Sequence, residues 1–229
     1  MVIYVKLGNS LYEKQGIHVI SSIFTVENGI TKVLLIERSY EPYKGMWALV
    51  GGALYNNEDL VVGAKREIYE KTGIKDIDIY LSNVFGKVDR SPLMRMVAVS
   101  FIGVIDSAKV EILKETMSTS DALWYPIDKI PNLAFDHVEI LNDGLEMLKK
   151  KIGESDILRA LYPNGFTIPE IQKVYETVLN KQFDRRNFRK KLLSLDLIQD
   201  ANKTKNFMGN KPAKVYKFKT GNIKNKSLL

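Results

Sequence analysis

The strongest constraint on the fold lies in residues 51–74, GGALYNNEDLVVGAKREIYEKTGI. Leu60, Ala64 and Ile68 recur at the spacing of one apolar helix face, and Gly73 supplies the left-handed residue at which helices commonly stop. Ahead of the helix, Gly51-Gly52 reads as a tight turn. On the polar side Glu67, Glu70 and Lys71 stand at i, i+3 and i+4 and share a face. Carboxylates at that spacing can place several oxygens on magnesium ions bridging a diphosphate. Here the third position holds a cation instead of an anion. A few ångströms from a dication that repulsion is about 1 kcal/mol even in water, and several-fold larger in a partly buried site. Metal binding is therefore expected to be greatly weakened. Two other readings stay open: Lys71 simply pairs with Glu67 on a solvated helix face, or Glu115 or Asp121 supplies a third oxygen to a metal.

Around this helix the first half of the chain alternates apolar strands with loops. The strand-like runs are IHVISSIFTV, TKVLLIERS, IDIYLSNVFGKV and MRMVAVSFIGVID. A second helix follows LAFD, where Asp136 and Glu139 have capping-box spacing and Val138, Leu141, Leu145 and Leu148 form an apolar stripe. The class is α+β, a mixed sheet flanked by helices.

Past Lys151 the pattern changes to three short helices, at 154–162, 168–179 and 185–195, then two strand-like runs, LIQDA and AKVYKFK. Thr167 and Glu170 form a capping box and Asp184 is a good N-cap. The stretch NKTKNFMGNKP between the runs suits a hairpin loop, and the final GNIKNKSLL reads as an unstructured tail. Three helices and a hairpin are the order of a winged helix, so the domains are expected at 1–150 and 151–229.

Charge follows the same division. Residues 1–150 carry 17 basic and 20 acidic side chains, whereas 151–229 carry 17 basic and only 7 acidic ones. Such asymmetry points the second domain at a polyanion. In its third helix Phe188, Leu192, Leu193 and Leu195 are expected to face inward, and Arg185, Arg186, Arg189 and Lys190 outward. Arg185, Arg186 and Asn187 are the base-reading candidates, since arginine can make two hydrogen bonds to guanine and asparagine two to adenine. Lys203, Lys205, Lys211 and Lys214 on the wing suit phosphate contacts. Double-stranded operator DNA is the expected partner. With no cysteine there is neither a disulfide nor a zinc finger. MVIYVKLGNS has no signal-peptide pattern and no apolar run approaches a membrane span, so no membrane partner and a cytoplasmic location are expected.

The segment 51–74 resembles the Nudix box, with Gly52, Glu58, Arg66, Glu67, Ile68, Glu70, Gly73 and Ile74 at the family's positions and Lys71 departing from it. The wider match, including LLIERSYEPYKGMWALVGGAL, LWYPIDKIPNLAFDHVEIL and the C-terminal TIPEIQKVYETVLNKQFDRRNFRKKLLSLDLI, resembles the Nudix-related transcription regulators. That resemblance implies a Nudix-fold domain used as a sensor rather than as an enzyme, with no cofactor and no metal. It also implies a winged helix-turn-helix domain, a homodimer and a small-molecule effector that releases DNA. The wording is nearer the sugar-utilisation branch, which implies a repressor released by a sugar such as L-arabinose. The alternatives are an ADP-ribose-sensing regulator of NAD metabolism and a magnesium-dependent hydrolase of a nucleotide sugar. Candidate effector contacts flanking the family's pocket are Arg38, Lys44, Trp47, Arg66, Glu67, Arg95, Asp136 and His137. A sugar would need a neutral pocket of paired polar groups, whereas ADP-ribose would need cations for two phosphates and a larger cleft.

Overall fold

The computed structural model describes residues 15–153, 155–207, 209 and 211–219; the C-terminal GNIKNKSLL lies outside them. Six strands form one mixed sheet: β1 (Gln15–Glu27), β2 (Ile30–Arg38), β3 (Trp47–Ala53), β4 (Ile79–Phe85), β5 (Arg95–Val104) and β6 (Thr119–Pro126). Their order is β4-β5-β1-β3-β2-β6, with β1 and β5 parallel and the remaining pairs antiparallel. The sequence pattern indicates four of these strands and passes over β3 and β6. The β3 sequence WALVGGA ends in glycines, and β6 opens on Thr, Ser and Asp, so neither has strong intrinsic preference. Pairing decides both, with Leu49 opposite Leu35 and Trp124 opposite Leu34.

The two-residue period of the strands sorts their side chains to two faces. On one face Ile23, Leu34, Ile36, Ala48 and Val50 meet Ile68 of helix α1 (Leu60–Thr72). On the other Ile20, Phe24, Val33, Leu35 and Ile102 meet Ile140, Leu141 and Leu148 of helix α2 (His137–Lys151). The sheet is thus sandwiched between helices. Gly73 ends α1 in the left-handed conformation, φ 77°.

The second half folds as expected in order and nearly in bounds: α3 (Ser155–Leu161), α4 (Ile168–Leu179) and α5 (Arg185–Ser194), then strands β8 (Ile198–Lys205) and β9 (Ala213–Phe218). A two-residue strand, β7 (Phe166–Thr167), adds to β9. Thr167 and Glu170 close a reciprocal capping box on α4. The wing strand β8 runs to Lys205, four residues past the apolar run LIQDA, so the first four residues of the expected loop NKTKNFMGNKP are strand. An irregularity between Asp200 and Thr204, with Asn202 at φ 54°, lets this polar stretch stay paired to β9.

The winged helix is docked on the back of the sheet. Ile157, Leu158, Ile171, Val174 and Phe188 belong to the same hydrophobic cluster as Phe24 and Val33. The Thr177 hydroxyl of α4 donates to the Gly29 carbonyl in the β1–β2 turn at 2.7 Å. No helix among the described residues is long and apolar enough to cross a membrane.

Candidate functional site

Strand β3 brings its glycines beside α1. Gly51 and Gly52 are not a turn; they lie within the strand, opposite Ile20 and Val19. The reason is space: a Cβ on Gly52 would stand 2.4 Å from the Glu67 carboxylate, and one on Gly51 would meet the Val19 carbonyl at 2.3 Å. This close approach lets a buried ion-pair network form under the strand. Arg66 grips Glu58 with two hydrogen bonds, Nε–Oε2 2.9 Å and Nη2–Oε1 2.6 Å. It also reaches Glu67 at 2.8 Å, Glu70 at 3.0 Å and the Ala53 carbonyl at 2.9 Å, and its guanidinium stacks on Tyr55 at 3.7 Å. The Arg66 hydrogen bonds hold the Glu58 carboxyl down at about 2. Lys71 donates to the Gly51 carbonyl and pairs with Glu67 Oε2 at 3.1 Å, both side chains 8% exposed.

This donor set does not fit a divalent metal. Both oxygens of Glu58 are taken by Arg66, and the two of Glu67 by Arg66 and Lys71. Glu115 is exposed, and Asp121 accepts the Ala122 amide on β6. No group of three or more His, Cys, Asp or Glu comes together as a possible metal site among the described residues.

The same glycines border a cleft of about 220 Å³. Its wall includes His18 of β1, Arg38 of β2, the Gly51–Ala53 backbone, Lys71 of α1, Arg90, Phe135 and His137. Arg90 is held by Asp136 through two bonds of 2.8 and 2.7 Å, with side chains only 2% and 9% exposed. Arg38 differs. Its Nε donates to the Pro42 carbonyl at 2.8 Å, and its guanidinium sits between the Tyr40 and Phe135 rings at 4.8 and 4.9 Å. No carboxylate among the described residues pairs with it. Phe135 and Tyr43, in edge contact at 4.7 Å, both have left-handed backbone, φ 55° and 65°. Such strain at bulky residues clusters at ligand sites.

Two histidines complete the wall as neutral groups. Burial, then Arg90 and Lys71, lower His18 to about 4; burial, then Arg90 and Arg38, lower His137 to about 3. The Leu49 amide donates to His137 Nδ1 at 3.0 Å, which leaves the ring proton on Nε2.

Of the contacts expected from sequence, Arg38 and His137 line the cleft. Glu67 and Asp136 stand behind it, holding Lys71 and Arg90. Arg66 is drawn under the strand by its carboxylates. Lys44 is exposed on a loop, Trp47 packs in the core against Tyr125 at 4.8 Å, and Arg95 bonds the Lys87 and Met96 carbonyls. Asp136 makes no side-chain cap to α2 and Glu139 pairs with Lys87, so the expected capping box is absent. The charged partners outcompete the backbone amides. His18, Arg90 and Phe135 were missed because nothing local distinguishes them; Lys71 was marked by its departure from the box.

The second site is on α5. Asp184 caps it by accepting the Asn187 amide at 2.9 Å. Phe188 and Leu192 are buried, Phe188 against Tyr175 at 5.6 Å. Leu193 is 39% exposed, one residue off the 188–192 stripe and so turned away from the core. Arg185, Arg186, Asn187, Arg189 and Lys190 are all exposed, and none of the four cations is in an ion pair among the described residues. Lys203 and Lys211 of the wing are exposed as well. Lys205 instead pairs with Glu170 at 2.8 Å and Lys214 with Asp200 at 2.9 Å, which ties the wing to α4 and to itself.

Comparison with known proteins bears on both sites. The NUDIX domain model matches residues 16–144, and that of the NrtR DNA-binding winged helix domain matches 158–218. An ADPR responsive transcriptional repressor NtrR of Acinetobacter baylyi is 30% identical over 203 residues, 86% of this chain and 79% of that one. The crystal structure of Shewanella oneidensis NrtR complexed with a 27mer DNA superposes with a TM-score of 0.74 at 28% identity, covering 89% of this chain and 93% of that one. The NUDIX domain of the same protein complexed with ADP ribose gives 0.55 at 28% identity, over 60% of this chain and 91% of that one.

Proposed function

The chain belongs to the NrtR family, in which a Nudix domain is joined to a winged-helix DNA-binding domain, and from that premise we propose a non-catalytic, ADP-ribose-responsive transcriptional repressor. Residues 1–150 sense the effector and residues 151–229 hold operator DNA. Nothing in the comparisons points to sugar utilisation or arabinose, and the effector reading passes to the ADP-ribose alternative.

The observation that carries the effector is Arg38. A guanidinium fixed between two aromatic rings in a cleft, with its charge unmatched by carboxylate, is ready for a phosphate. A neutral sugar gives such a charge nothing to answer. The cleft, at about 220 Å³, is below the roughly 300–1,000 Å³ usual for small-molecule sites. The diphosphate and one sugar are therefore placed inside, with the nucleoside over the open rim beside Tyr40 and Tyr43. The absence of turnover rests on the occupied carboxylates of Glu58 and Glu67. DNA is assigned to the unpaired cations of α5, with Arg185, Arg186 and Asn187 toward base edges and Lys203 and Lys211 toward phosphates. Two copies would read a two-fold operator; β4 is a sheet edge with Leu81 and Val84 more than half exposed, a surface suited to a second copy.

The test is a mobility shift on operator sequences selected from random DNA, with ADP-ribose, L-arabinose or no addition. ADP-ribose should release the DNA and arabinose should not, and Arg38→Ala should weaken the response about tenfold or more, the worth of a charge-assisted hydrogen bond. Release by the pentose alone would sink the effector assignment. Magnesium-dependent cleavage of ADP-ribose would sink the claim that the domain is not an enzyme.

A further inference from the structure

We propose that the Lys71 ammonium is a built-in substitute for a divalent metal, donating directly to a phosphate of the effector so that effector binding requires no metal. The inference deepens the effector reading above and rests on it. Lys71 is 6% exposed yet lines the cleft. An ammonium has three donors. The Gly51 carbonyl takes one of them, Glu67 Oε2 balances the charge from 3.1 Å, and no other hydrogen bond of the group is made among the described residues. Held from two sides, the group has little freedom left to lose when a ligand takes a remaining donor. Gly51 and Gly52 line the cleft beside Lys71 as bare backbone, with no side chain of their own to cover the ammonium. Arg38 and Arg90 belong to the same wall, so one cleft presents cations enough for two phosphate groups.

The experiment is calorimetric titration of the full chain with ADP-ribose and, separately, with inorganic pyrophosphate, each in EDTA and in Mg²⁺. The wild type should bind with the same affinity in both buffers. Lys71→Met should lose about tenfold or more in both, as expected for one charge-assisted hydrogen bond to phosphate. Lys71→Arg, which keeps the charge, should stay within a few-fold of wild type and guards against mistaking a folding defect for lost contact. Lys71→Glu should bind poorly in EDTA, recover in Mn²⁺, and alone among the variants bind Mn²⁺ by electron paramagnetic resonance. A wild type that needs Mg²⁺ to bind, or a folded Lys71→Met that binds as tightly as wild type, overturns the proposal. Metal-free, Lys71-dependent binding of pyrophosphate without any binding of ADP-ribose leaves the cation role standing and removes the effector.

Discussion

Helices α1 and α5 carry charge at similar density and use it in opposite ways. On α1, Arg66, Glu67 and Lys71 are at most 17% exposed and all are ion-paired within the molecule. On α5, Arg185, Arg186, Arg189 and Lys190 are exposed and unpaired among the described residues. Desolvation explains the division. A charge beneath a strand must be neutralised where it sits, whereas a charge in water can wait for a partner. Buried charges therefore shape the cleft, and exposed ones are left to act between molecules.

The sharpest break of this contrast is Arg66→Ala, which leaves Glu58 without its partner and Glu67 with Lys71 alone. Stability should fall, read as a lower urea midpoint; an unchanged midpoint would mean the network is solvated, like α5. Arg185→Ala with Arg186→Ala should show the reverse pattern. Folding should shift by no more than about 0.5 kcal/mol, while operator affinity drops by about 1–3 kcal/mol for each arginine that reads a base and ADP-ribose affinity holds. Undiminished operator binding would remove both residues from the interface.

The most gradual effect concerns pH. His18 and His137 are lowered to about 4 and about 3 in the fold, from 6.5. Between 6.5 and those values the unfolded chain binds protons that the folded chain refuses. Stability is thus intact above 6.5 and declines as the pH drops, by up to about 1.4 kcal/mol per unit for each histidine. The decline from these groups stops once the folded values are passed. Replacing both with Gln should flatten the profile between pH 6.5 and 4, and an unflattened profile would show that these rings are not held neutral.

Legibility differed between the sites for the same reason. The recognition helix was readable because its cap, stripe and outward cations are local and obey helix period; only Leu193, one residue off the stripe, was placed wrongly. The cleft was half readable. Lys71 was visible as a departure from a spaced motif, and Arg38 as a charge on an apolar strand. Arg90, His18 and Phe135 come from distant segments, and no period or spacing links them. Asp136 is the instructive miss, because a capping-box spacing lost to an arginine 46 residues away in sequence.

By itself the sequence determined the α+β class, the order of helices and wing in the second half, the carboxylate helix with its intruding lysine, and the basic face of α5. These are consequences of periodicity, capping and charge within a few residues of each other. Tertiary structure alone decided that the two glycines are strand, that Arg66 and Lys71 consume the oxygens a metal would need, and that Arg38 is left without a carboxylate. Such outcomes depend on which groups far apart in the chain compete for the same partner at about 3 Å, and that competition exists only once the sheet is formed.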